Sequence, residues 1–521
     1  MSVTLLGLFL CTMAGFGQAQ VTGFVYEDLN GNNTFDKKEK GISGVAVSNG
    51  KEVVITGEKG EYQLPVQDDN IIFVIKPAGY QPVTDAYNIP QFYYIHKPGG
   101  SPTLKYAGTP PTGPLPEKVN FGLVPVKEPG TFRILVFGDP QPYTAEQVNF
   151  FHRAVAAELK NARDVAFGIS MGDLVGDTLD LLLPYKAAVR EVGIPWYNVL
   201  GNHDINFDVV HDSLSDETFE THFGPATYSF NHGKVHFIII DDILYPDPRG
   251  EREYWGGLRE DQFAFIENDL KHVPEDHLVV LAFHIPISKN EVSGPFNPAH
   301  RDRLFSLLKD FPHTLSLSAH THIQNQVFFD NEHGWQQEGK HHHYNVGTTS
   351  GDWYSGKLNE KGIPISTMRD GTPKGYAFIN FDENKYTIDY KVFDKDPEYK
   401  MAVFTPRVVK QHTWPNAQIV VNFYIGSPED SLFCKIGDGE WKKMRYRPVH
   451  DPFYVRDIID WDFSDILFPG SRPSNPVESS HTWTGRLPTD LEEGEHTVYI
   501  RAIDMFGREY TAERTFRIVA E

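Results

Sequence analysis

Five apolar stretches of this chain each end on residues that bind cations or move protons. The run at 134–137 leads into Gly138-Asp139-Pro140-Gln141, and the one ending at Ser170 leads into Gly172-Asp173. Val199-Leu200 precedes Gly201-Asn202-His203-Asp204, the run at 280–283 precedes His284, and that at 315–318 precedes Ala319-His320-Thr321-His322. Singly these are ordinary: Gly-Asp is a common turn, Asn-His-Asp a serviceable helix cap, and His-x-His a frequent surface pair. Together, five strand ends in succession mark the edge where open α/β sheets hold their sites. Carboxylate, amide and imidazole donors without a thiolate are ligand types for iron, manganese or zinc.

Such tips need strands to carry them. From residue 131 to about 400 apolar runs at 132–137, 165–169, 196–200, 235–240, 278–283 and 315–317 read as strands. Between them Val148, Phe151, Val155 and Leu159 recur at helical spacing, as do apolar residues over 260–270 and 300–308. The alternation predicts an α/β (α+β) core of layered sheets flanked by helices. On either side the pattern is all-β. Short alternating runs at 45–47, 53–55, 62–64 and 71–75 predict an antiparallel sandwich over 21–126, with a Pro/Gly-rich loop or linker at 97–116. Runs at 419–424, 432–436, 496–503 and 515–519 predict a second, helix-free sandwich over 401–521, whose ending resembles the closing hairpin of an immunoglobulin or fibronectin type III-like module. With 521 residues, more than one core is expected.

The order of the five motifs resembles the calcineurin-like metallophosphoesterase superfamily, whose pattern runs Asp-x-His, Gly-Asp, Gly-Asn-His-Asp/Glu, His and Gly-His-x-His. The resemblance covers roughly residues 131–395. It implies a metallophosphoesterase core in which Asp139, Asp173 and His322 hold one metal, with Gln141 in the first motif's second ligand position. Asp173, Asn202, His284 and His320 would hold a second metal, Asp173 bridging. His203 would stand beside the leaving group, oriented by Asp204. Two departures are visible. Ala319 replaces a Gly, which only size governs. Gln141 replaces a His, and an amide oxygen is the weaker and harder ligand, so that metal is expected to be looser or of shifted preference.

Hydrolysis of a phosphate ester needs a nucleophile near neutral pH and neutralised phosphoryl oxygens, and two divalent or trivalent transition metals (Mn, Fe or Zn) supply both. Monoesters and diesters share the motif set, so both stay open as substrates, borne on a small molecule or displayed on a surface. The competing reading is a surface binding or adhesion protein whose phosphoesterase scaffold is catalytically impaired. The segment 333–375 reads as a long insertion, with His341-His342-His343 as a surface run on a solvated loop. In the superfamily the segment after the last His pair borders the pocket, which makes Asp352, Trp353 and Arg369 candidate substrate contacts. Tyr254-Trp255-Gly256-Gly257 reads chiefly as packing near the mouth.

In the first sandwich Asp28, Asn30, Asn32, Thr34, Asp36 and Glu39 stand at positions one, three, five, seven, nine and twelve of a twelve-residue frame. Oxygen donors so spaced wrap one hard cation, here a structural calcium ion. The loop, with Gly41 to Val47 after it, resembles that of B-type repeat domains of bacterial surface proteins. The N-terminus is apolar or small from residue 3 to 17, and Gly17-Gln18-Ala19 resembles a cleavage site, so residues 1–19 are expected to be an export signal and the protein periplasmic or extracellular. Leu8-Phe9-Leu10 before Cys11 argues against a lipid anchor, and with Cys434 the only other cysteine no disulfide is expected after cleavage. No later run is long enough to span a membrane. A net charge of -22 argues against nucleic acid or an anionic membrane as the main partner.

Overall fold

The computed structural model describes residues 19–288, 295–413 and 417–520. The expected export signal, Cys11 included, lies outside them but for Ala19.

Two stacked sheets form the central layer. One has the order Trp196–Asn198, Gly168–Ser170, Thr131–Phe137, Gly375–Asp382, Lys385–Val392, the first three parallel and the last two a hairpin. The other runs Tyr228–His232, Val235–Ile239, Leu278–Ala282, Thr314–Ser318, His341–Asn345, Asn325–Phe329, parallel within and antiparallel at both edges. Val235–Ile239, Leu278–Ala282 and Thr314–Ser318 are buried along their whole length, as parallel strands covered on both faces must be. Phe237 meets Phe381 at 5.7 Å and Phe167 at 5.3 Å, locking one sheet onto the other.

Helices cover the outside. Ala145–Phe151 starts where the Thr144 hydroxyl accepts the Gln147 amide, and it buries Val148 and Phe151. Glu260–Leu270 buries Phe263, Phe265, Ile266 and Leu270, and its Asp269 meets His236 of the six-stranded sheet at 2.9 Å. Pro298–Leu307 is capped by Asn297 with Pro in its first turn, the position where a missing N–H costs nothing.

Before this core stand two four-stranded sheets, Glu61–Pro65, Gln20–Glu27, Phe121–Pro125, Tyr80–Pro82 and Val53–Ile55, Ala46–Ser48, Asn70–Ile75, Tyr93–His96. All their pairings are antiparallel except Gln20–Glu27 with Phe121–Pro125. They dock through Phe73 on Phe265 and Phe92 on Tyr228, and through the buried Lys76–Glu128 pair at 2.7 Å, whose ammonium also reaches the Asn231 carbonyl. The segment 97–116 has no regular structure but is strapped to the core. Lys97 and Ser101 both hold Glu217, the Lys105 amide donates to Asp208, and the Tyr106 hydroxyl donates to the Asp177 carbonyl.

After the core come Met401–Phe404, Gln418–Phe423, Thr482–Arg486, Arg445–Tyr446 in one sheet and Val408–Lys410, Glu509–Val519, Gly494–Ile503, Ser431–Ile436, Lys442–Lys443 in the other. This region is not helix-free: Pro452–Asp462 is a helix, capped by Asp451, whose carboxylate accepts the Phe453 and Tyr454 amides. The segment 333–375 also differs from its expected form. His341–Asn345 is a fully buried strand of the six-stranded sheet, not a solvated loop. Among the described residues no helix is long and apolar enough to cross a membrane.

Candidate active site

The parallel strands deliver their tips to one place. His284 anchors it. Its Nδ1 donates to the Met171 carbonyl at 2.8 Å, which leaves Nε2 as a lone pair. That Nε2 lies 3.1 Å from Asn202 Oδ1, 3.2 Å from Asp173 Oδ1 and 3.1 Å from His320 Nδ1. Beside them His320 Nε2 is buried with no partner. Acceptors gathered this closely repel one another, and a cation among them turns the repulsion into attraction. Asp173, His284 and His320 each offer a ligand atom within 4.8 Å of the others. The field has the same sign. Burial alone would lower the His284 pKa, but Asp173, Asp139 and Asp242 outweigh it and push it up to about 10, so that Nε2 takes a proton wherever no metal ion competes for its lone pair.

A second cluster adjoins the first. His322 Nδ1 donates to the Gly351 carbonyl at 2.7 Å, so its Nε2 lone pair faces Gln141 Oε1 at 2.8 Å. The Gln141 amide is turned this way because its Nε2 donates to the Tyr143 hydroxyl. Asp139 is fully buried between the clusters, both its oxygens accepting the His320 amide. Gln141, with its oxygen aimed at a histidine lone pair, fits the ligand place that the first motif assigns to it.

The backbone is strained where these side chains converge. Asp139, Gln141, Asp173, His320 and His322 take φ of 29°, 40°, 49°, 69° and 52°, values that non-glycine residues adopt at a cost of roughly 1–3 kcal/mol each. Two glycines let the loops meet: a Cβ on Gly172 would stand 2.5 Å from His284 Nδ1, and one on Gly201 2.1 Å from the Asp173 amide.

His203 stands at the rim, with its amide donating to Asp173 Oδ1. Its ring partner is not the expected Asp204. His203 Nδ1 meets Asp177 Oδ1 at 2.6 Å. Asp204 is fully buried and accepts the amides of Leu174, Val175 and Gly201, so it shapes the loops rather than the imidazole. Burial acts to lower the His203 pKa, but Asp173 and Asp177 prevail and raise it to about 9. Asp177, itself at a φ of 61°, was passed over in the sequence; the available signal was a second carboxylate four residues beyond Asp173. Asp242 was also passed over. Its carboxylate accepts the amides of His284 and Ile285, and it ends the one strand whose tip, Asp241-Asp242, had not been read as a site.

Of the expected substrate contacts, Trp353 and Arg369 adjoin the ligand cluster. Trp353, at φ 48°, stacks on His322 with ring centroids 3.9 Å apart. The Arg369 guanidinium lies 5.7 Å from the Trp353 ring and donates to the Thr321 carbonyl, while its Nε is buried without a partner. The adjacent Asp370 is fixed by the C-terminal region: its carboxylate meets His481 Nε2 at 3.1 Å and accepts the Gln324 amide. Asp352 corrects the expectation. It is buried, and one of its oxygens accepts the Ser474 amide and the Ser355 hydroxyl, so it ties the loop to the C-terminal region. Tyr143 and Tyr254 complete the surroundings, with ring centroids 5.9 Å from His203 and 6.1 Å from His320. Trp255 packs under Arg249.

In the N-terminal loop, Asp28 accepts the amides of Gly31, Asn32 and Asn33, and Glu39 those of Leu29 and Asp36. Asn30 and Asn32 both donate to Asp36, the Asn32 side-chain oxygen accepts the Thr34 amide, and Asn33 sits at φ 53°. All six expected positions thus share one turn.

Three family models match the chain: the N terminal of calcineurin-like phosphoesterase over residues 28–106, calcineurin-like phosphoesterase over 132–324, and the C terminal of calcineurin-like phosphoesterase over 343–510. No curated protein matches. Among solved structures, a purple acid phosphatase from yellow lupin (Lupinus luteus) seeds is 13% identical with a TM-score of 0.37, over 68% of this chain and 69% of that one. An anchor protein of the Plasmodium inner membrane complex is 17% identical at a TM-score of 0.32, over 50% and 84%. A metallophosphoesterase from Sphaerobacter thermophilus is 14% identical at 0.24, over 50% and 89%. With its N-terminal, catalytic and C-terminal parts each matched, the chain belongs to the calcineurin-like phosphoesterase family and is a hydrolase of phosphoric ester bonds.

Proposed function

We propose that the protein is an exported phosphoesterase working through two metal ions on a small or surface-displayed phosphate mono- or diester. Asp139, Gln141, Asp173 and His322 would hold one ion, and Asp173, Asn202, His284 and His320 the other. The observation that carries this reading is the crowding of lone pairs around His284 Nε2, with Asp173, Asn202 and His320 all within 3.2 Å. Two ions so held would acidify water and neutralise the phosphoryl oxygens.

The chain's own groups do the rest. His203, kept protonated by Asp173 and Asp177 against the pull of burial, gives its proton to the departing oxygen. Arg369, its guanidinium 5.7 Å from the Trp353 ring, would bring positive charge to the phosphate, and Trp353 would offer a ring face to whatever the phosphate is attached to. The N-terminal loop would take one structural calcium ion.

The test is turnover of a chromogenic monoester and a diester with Mn²⁺ and with chelator. His203→Ala is expected to lose about 10²–10⁴-fold, and Asn202→Ala to lose turnover together with its second equivalent of metal. No turnover with any metal would overturn the proposal and leave the binding reading.

A further inference from the structure

The triple histidine has a place in the core that the chemistry above leaves unused. Thr314–Ser318 and its parallel neighbour His341–Asn345 turn their polar sides toward each other, Ser316 opposite His343 and Ser318 opposite Asn345. The contacts form an unbroken series. Thr314 Oγ1 meets His341 Nδ1 at 2.9 Å, and His341 Nε2 meets Ser316 Oγ at 2.8 Å. Ser316 Oγ meets His343 Nδ1 at 2.7 Å, and His343 Nε2 meets Ser318 Oγ at 3.0 Å. Ser318 Oγ then meets Asn345 Oδ1 at 3.0 Å. Asn345 Nδ2 ends the series on the Ile323 carbonyl at 2.8 Å and the Thr321 hydroxyl at 2.9 Å.

One contact fixes the direction of all the others. A carbonyl only accepts, so Asn345 must turn its NH₂ to Ile323 and its oxygen to Ser318. Ser318 therefore donates to Asn345 and accepts from His343 Nε2–H. His343 Nδ1 then accepts from Ser316, which accepts from His341 Nε2–H, and His341 Nδ1 accepts from Thr314. Both rings are Nε2–H tautomers. Burial keeps them uncharged, lowering His341 to about 3 and His343 well below its ordinary value. An amide closes the series, so it does not relay protons to the site; what it delivers is a fixed position.

We propose that this ladder positions the His320-Thr321-His322 turn, with Asn345 as the positioning residue that joins the buried strands to the metal ligands. The inference rests on the reading of that turn as metal-ligating. Outer contacts of this kind change metal affinity or activity by about 10–100-fold when removed.

Asn345→Leu keeps the volume but has no N–H for Ile323 or Thr321. Thr321→Val removes the hydroxyl that accepts from the same Asn345 amide. In the full-length protein both are expected to bind Mn²⁺ about 10-fold or more weakly by calorimetry, with kcat reduced at limiting Mn²⁺, recovered at excess, and KM unchanged. Nitrogen NMR of the wild-type rings is expected to show His341 and His343 protonated on Nε2. Mn²⁺ affinity unchanged in both variants, or either ring protonated on Nδ1, overturns the proposal. A wild-type protein that takes up no Mn²⁺ overturns the metal reading itself, and with it the function assigned to the ladder, even where the tautomers are as expected.

Discussion

Replacing Asp177 with Asn separates the two carboxylates that flank His203. The His203–Asp177 contact is 2.6 Å and links a cation to a carboxylate, a class worth about 1.5–3 kcal/mol when buried. Here the side chains are 26% and 50% exposed, so water screens much of it. About 1–1.5 kcal/mol survives, or roughly a 5–13-fold loss of kcat, at little change in KM. The loss should be greatest for alkyl phosphates, whose leaving oxygen needs a proton, and smallest for nitrophenyl phosphate, whose leaving group does not. Asp204→Asn should behave in the opposite way. It disturbs a buried carboxylate that accepts three backbone amides, costing about 2–3 kcal/mol of stability and roughly 4–12 °C of thermal midpoint. Steady-state kinetics against leaving-group pKa, with thermal melts on the same preparations, read both. If Asp204→Asn lost activity with an unchanged melt while Asp177→Asn kept full activity on alkyl phosphates, the assignment of the ring's partner would be wrong.

Gln141→His should slow the loss of one metal to chelator, seen as more metal per chain after dialysis, because imidazole is the stronger ligand. Arg369→Ala should lower kcat/KM about 10-fold through loss of a charged contact, with the melt nearly unchanged. Glu128→Gln leaves the buried Lys76 ammonium unpaired and should destabilise by about 3 kcal/mol, read by denaturant titration. Burial pushes the Glu128 pKa up, but Lys76, His232 and the Gly233 amide hold it below the ordinary range. Its contribution is therefore present above the unfolded carboxyl pKa of about 4.3 and is lost as pH falls through the folded value. Calcium should raise the melting temperature of the wild type and not that of Asp28→Ala; no effect of calcium on either would remove the ion from the N-terminal loop.

How much of this was legible follows from how local each signal was. Asp139, Asp173, Asn202, His284, His320 and His322 each follow an apolar strand directly, so strand direction alone brings them to one edge. Nothing local says which carboxylate reaches an imidazole: Asp204 is the sequence neighbour, yet the amides of the Gly201 and Leu174 loops claim it, and Asp177 arrives from another loop. His341-His342-His343 read as surface because three imidazoles are rarely buried together, and the hydroxyls that satisfy two of them come from a strand 25 to 27 residues earlier. The helix Pro452–Asp462 did carry a local signal, Asp451-Pro452 ahead of spaced apolar residues, obscured by the strands around it.

The strap over 97–116 makes the first region more than an appendage. Tyr106 grips the backbone of the very residue that steadies His203, while Lys97 and Ser101 bind Glu217 from the same side. A shortened chain beginning at Thr131 would retain every ligand and still leave the Asp177 loop without its clasp. Shortening is thus expected to erode proton delivery before it empties the metal sites. Any exchange of N-terminal modules between relatives would have to carry this ribbon along.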